Sequence, residues 1–104
     1  MNSTSNESEK KGQEPNPVDV SSLDIYQLVE LFIMLLSEQA WRYIGLRVDP
    51  ATNKMNKDLS KARIAIDCIV SLVEKIEANL DNEEKEHLRR IITDLQLNYA
   101  EQIK

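Results

Sequence analysis

The stretch Leu28-Val29-Glu30-Leu31-Phe32-Ile33-Met34-Leu35-Leu36 places eight large apolar side chains around a single carboxylate, in a chain that is otherwise acidic and polar. A surface helix of a small domain buries one stripe and wets the rest, so a helix this apolar must be covered on two sides. At about 100° per residue, Ile25, Val29, Phe32, Ile33, Leu36, Ala40 and Tyr43 fall on one arc, which the spacing assigns to the core. Leu31, Met34, Leu35 and Trp41 fall instead among Asp24, Gln27, Glu30, Glu38 and Arg42. Buried, these four are worth roughly 6–12 kcal/mol together, comparable to the whole stability of a small domain. The cover could be a second copy of the chain, a different protein, or the last helix wrapping further round. A second copy is the reading adopted, with Leu31, Met34, Leu35 and Trp41 as the interface. A helix lying on a membrane surface wants a polar face rich in Lys and Arg, and this one has only Arg42.

Outward from that run the chain reads as all-α, three main helices in a small antiparallel bundle. Both glycines and all three prolines lie at or before residue 50, so nothing in the last 54 residues interrupts a helix. The helices are expected at about 22–44, 58–79 and 82–103. Ser21-x-x-Asp24 resembles a capping box that starts the first, and Gly45 stops it. Asp49-Pro50-Ala51-Thr52-Asn53 is turn chemistry inside a crossover loop. In the second helix Leu59, Ala62, Ile66, Ile69, Val73, Ile76 and Leu80 form an unbroken heptad seam, which Ala65, Cys68 and Leu72 widen. Asp81-x-x-Glu84 caps the third, whose Leu88, Ile91, Ile92, Leu95, Tyr99 and Ile103 line one side. Residues 1–19 are polar, cannot repay the entropy of ordering, and are expected to form a disordered tail ahead of the 20–104 domain.

Composition excludes several functions. A net charge of −5 argues against a nucleic-acid groove, and the local excess of Arg47, Lys54, Lys57 and Lys61, the basis of a weaker RNA or ribosome reading, surrounds a solvated loop. Leu23 to Leu36 is too short and too interrupted to span a bilayer, so no membrane partner is expected. One cysteine, and no secretory or transit leader in the first residues, fit the cytoplasm.

The candidate chemistry is thin. Glu84-Lys85-Glu86-His87 holds Glu-x-x-His at helical spacing, the pattern of di-iron carboxylate bundles. With Glu30 as a third ligand it could form a metal or small-enzyme site across a dimer, although Glu84 has a sufficient role as a cap. Cys68, with no basic residue beside it in sequence, reads as a small core residue. Asp67 either pairs with Arg63 one turn away or accepts a hydrogen bond from Trp41 or Tyr43 and sets the helix crossing. Two glycines 33 residues apart exclude a phosphate loop. No cofactor and no enzymatic activity are expected.

Ile44-Gly45-Leu46, the loop Asp49 to Asn53, Asp58-Leu59-x-x-Ala62 with Ile66-Asp67, Asn79-Leu80 with Glu83-Glu84, and Leu95-x-x-x-Tyr99 resemble the bacterial domain-of-unknown-function family 1844 over roughly residues 23 to 100. Asn53 stands where members often carry Gly, and Trp41 is bulkier than the residue expected there. The resemblance implies a small cytoplasmic helical protein with no assigned activity and no catalytic residues to carry over. The matching positions Gly45, Pro50, Asp58, Ala62, Asp67, Asn79 and Tyr99 are given structural roles. The function expected is a non-enzymatic interaction or regulatory module that dimerises and offers its acidic third helix, or its flexible tail, to another protein.

Overall fold

A computed structural model of the chain describes residues 19–104. The tail expected over 1–19 lies outside the described residues apart from Asp19. Three helices make the bundle: α1 (Ile25–Ile44), α2 (Leu59–Ile76) and α3 (Asn82–Gln102). The 3-10 turn Val20–Ser22 precedes α1, and a second, Glu77–Asn79, links α2 to α3.

Capping chemistry sets most of the boundaries. Asp24 is itself the N-cap of α1: its carboxylate accepts from Gln27 N–H while the Gln27 side chain accepts from Asp24 N–H. The expected Ser21/Asp24 box is therefore displaced by three residues, and Ser21 instead donates to Asp19. Asp58 caps α2 by accepting from Lys61 N–H, and Asp81 and Glu84 close the expected box on α3. Gly45 ends α1 in the left-handed region, φ 95°, where a residue without Cβ is favoured.

The loop between α1 and α2 is not wholly irregular. β1 (Val48–Asp49) and β2 (Lys54–Met55) pair antiparallel across a turn containing Pro50. The Asp49 carboxylate accepts from Ala51 N–H, and the Asp49 carbonyl accepts from Thr52 and Asn53 N–H. Asn53, the exchange noted against the family pattern, adopts φ 59°, which Asn tolerates better than most residues. Strands of two residues are too short to leave an alternating pattern, so the expectation of a plain crossover loop missed them.

Packing centres on the α1–α2 pair. Asp58 N–H donates to the Tyr43 carbonyl at 2.8 Å, so α2 starts beside the end of α1 and runs back along it. Ile33, Ala40 and Ile44 of α1 meet Ala62, Ala65, Ile66, Ile69, Val73 and Ile76 of α2, and α3 adds Leu88 and Leu95. The heptad seam is thus buried from Ala62 to Ile76, while Leu59 and Leu80 at its ends are half-buried. Lys57 Nζ donates to Gln102 Oε1 at 2.7 Å, tying the start of α2 to the end of α3. Ile103, expected on the inner side of α3, lies past the helix end and is exposed.

The helical wheel divided α1 only partly as the structure does. Phe32 and Ile25, assigned to the core, are exposed, whereas Trp41 packs against the core and Leu31 is half-buried. Met34 and Leu35 are exposed, as the wheel had them. The reason is where α3 lands: it meets α1 beside Glu30 and Met34, on the opposite flank from Phe32 and Leu35. Cys68 is exposed rather than buried, because it lies off the heptad seam on the flank of α2 that α3 leaves open.

Candidate functional site

Two grooves flank the core, combining side chains at its edge with exposed ones beside them. The first runs along the α1–α2 pair. Phe32, Leu35 and Leu36 of α1 face Asp67, Cys68, Ser71 and Leu72 of α2. Leu36 continues the groove into a second concavity with Gln39, Tyr43, Lys61, Ile64 and Ala65. Phe32 is 44% exposed, Leu35 55% and Ile64 64%. α3 reaches α2 from the side of Arg63 and Ile66, with Asp67 on the border, and none of the residues lining this face of the helix pair belongs to α3. Among the residues lining it, Asp67 and Lys61 carry the charge, and Lys61 Nζ sits 5.7 Å from the centre of the Tyr43 ring.

Of the expected interface residues, Leu35 belongs to this face, and Met34 lies on the opposite flank. Ile64, Cys68 and Leu72 were not read as part of it. Their i, i+4, i+8 spacing carried the signal, a second apolar stripe beside the heptad seam.

The second groove lies between the first half of α1 and the start of α3, lined by Glu30, Met34, Glu83, Glu84, His87 and Leu88. It unites the three residues proposed from sequence as a metal site, and it does so within one chain rather than across a dimer. Among the described residues no group of three His, Cys, Asp or Glu side chains is close enough to hold a metal ion. Glu84 is engaged in its capping box, and His87 is exposed.

The remaining candidates have local partners. Asp67 pairs with Arg63 at 3.8 Å, both side chains being about 70% exposed (72% for Arg63, 70% for Asp67). The alternative bond from Trp41 or Tyr43 does not form. An exposed i, i+4 pair contributes only about 0.3–0.5 kcal/mol, so Asp67→Asn is expected to move the melting temperature by no more than about 2–4 °C in a circular-dichroism melt.

Three of the four loop cations are likewise occupied. Lys57 is bound to Gln102, Lys61 lies 4.0 Å from Asp58, and Arg47 Nη1 contacts both carboxylate oxygens of Glu38 at 2.6 Å. Arg47 also lies over the Trp41 ring, 5.9 Å from its centre, so this corner fastens the hairpin to α1. The hydrogen bond from Arg47 holds the Glu38 carboxyl below its ordinary pKa, against a smaller opposing effect of burial. A lowered folded-state pKa means the pair's contribution is present above the ordinary carboxylate range and fades as pH falls through the lowered value.

Of the structural positions, Gly45, Asp58, Pro50 and Asn79 sit at a cap, a cap, a turn and the second 3-10 turn, and Tyr99 packs half-buried on the core. No helix among the described residues is long and apolar enough to cross a membrane.

No curated protein and no solved structure matches the chain. A family model does match, across residues 26–101, a span that takes in all but the first residue of α1, the hairpin, α2 and all but the last residue of α3. The chain therefore belongs to the family described as Domain of unknown function (DUF1844).

Proposed function

We propose that this protein is a non-enzymatic cytoplasmic association module that works as a homodimer, the α1–α2 face of one copy against the same face of a second. The observation that carries this reading is the continuous apolar face from Phe32 to Ile64 that α3 leaves open. Two helices wide and about 17 Å long over Phe32 to Tyr43 and Lys61 to Leu72, it offers on the order of 350 Å² per copy. A standard interface buries roughly 800 Å² per partner, so this face would supply the apolar centre of an interface and the more polar surface around it the rim.

Charge supports a second copy as the occupant. A two-fold interface sets a surface against itself, and like charges there are costly. This face carries one acid and one base among its lining residues, whereas the chain as a whole has net charge −5. It is a part of the molecule that can meet its own copy without strong repulsion.

Light scattering at tens of micromolar should give twice the 12.0 kDa chain mass. Leu35→Glu should return the monomer mass while keeping the helical circular-dichroism signal, because Leu35 is exposed in the single chain. A wild-type protein that stays at one chain mass ends the proposal.

A further inference from the structure

We propose that the groove between α1 and α3 binds a basic amphipathic helical segment of another protein. The claim extends the association reading to a second surface, and the two can fail separately. The groove has an apolar floor, made by Leu88, which is buried, and Met34, which is 51% exposed. Its rim holds Glu30, Glu83 and Glu84, with His87, and none of its lining residues is Lys or Arg. Glu83 and Glu84 also complement the N-terminal dipole of α3, but that role does not extend to Glu30, which lies beyond the first turn of α1. Glu30 is half-buried and has no ion-pair partner among the described residues.

The lining chemistry selects among occupants. A second copy would bring the same three glutamates to the same place and be repelled. A metal ion lacks three ligands within reach. The chain's own residues 1–18 carry three glutamates against two lysines and little apolar surface. A helix with Lys or Arg flanking one large apolar anchor matches both features: the anchor meets the adaptable Met34 thioether and Leu88, and the cations face the carboxylates.

The test titrates full-length protein into a fluorescent 18-residue peptide of Leu and Lys at amphipathic helical spacing, read by anisotropy at two salt concentrations. Saturable binding is expected, weakened about tenfold or more between low and high salt. Met34→Ser and Glu30→Gln should each weaken it by about 5- to 20-fold. Glu74→Gln and Glu101→Gln, which remove equal charge elsewhere, should change it less than twofold. Leu35→Glu should bind as wild type, which separates this groove from the dimer face. No saturation, equal losses from the Glu74 and Glu101 controls, unchanged binding in Met34→Ser and Glu30→Gln, or equal binding of a peptide with Glu in place of Lys would each overturn the proposal. Circular dichroism of each variant confirms that it remains folded.

Discussion

Ile69→Ala is expected to lower the unfolding free energy by about 2–5 kcal/mol, from the lost transfer energy of the side chain plus the cavity it leaves. Ile69 is fully buried in the middle of the α2 seam, with Ile33 and Ile44 of α1 and Leu95 of α3 in the same core. A domain of this size has about 5–10 kcal/mol in total, so one truncation removes a large share. In a thermal melt the loss should appear as a fall of roughly 10–30 °C. Cys68→Ala, one residue earlier, should change stability by no more than about 0.5 kcal/mol, because Cys68 is exposed and off the seam. The comparison must be made at one protein concentration, since a dimer's apparent stability rises with concentration. A small loss at Ile69 would mean that the seam is rotated from where the structure puts it, as would a large loss at Cys68 that does not change with protein concentration; one that does change would report the open face instead.

These adjacent positions also show how much of the fold was legible. A strict heptad from Leu59 to Leu80 has one solution for which face is inside, so the core of α2 could be read directly. The Asp58 cap, the Asp81/Glu84 box and the stop at Gly45 were legible for a similar reason: each depends on residues within a few positions of one another. α1 was different. With apolar residues nearly all round, periodicity limits the buried arc but does not say which flank a third helix will cover. That is decided by the α2–α3 turn, far away in the chain. Phe32 and Trp41 accordingly exchanged places, while Ile33 and Ala40, central to the arc, did not.

The candidate sites were legible to the same degree. Glu30, Glu84 and His87 were picked out as a group, and the structure does set them around one groove. Spacing within α3 could relate Glu84 to His87, but only the tertiary packing could say that Glu30 arrives from the same chain and that the three stay too far apart to hold a metal. The open α1–α2 face was half visible, because Leu35 declared itself on α1. The stripe Ile64, Cys68 and Leu72 was hidden by its closeness to a stronger seam.

Gly45→Ala is expected to cost about 1–3 kcal/mol, chiefly from backbone strain. Gly45 sits at φ 95°, ψ 20°, and its N–H donates to the Arg42 carbonyl while Leu46 N–H reaches back to that of Trp41. Those bonds close the end of α1, so the backbone cannot relax to negative φ without opening them. Crowding adds a second term. A Cβ here would lie 3.3 Å from Cγ and Cδ of Lys57, the residue whose ammonium holds Gln102. The two terms separate in a double variant: Lys57→Ala removes the crowding but not the strain, so Gly45→Ala in that background should recover less than half of its cost. Urea midpoints of the four proteins measure this directly. Full recovery would show that Lys57, rather than the left-handed backbone, demands glycine here. Asn53 makes the strain account the stronger one. It is also at positive φ, but at 59°, inside the region that Asn tolerates, whereas Gly45 lies well beyond it, where a Cβ has no comfortable position.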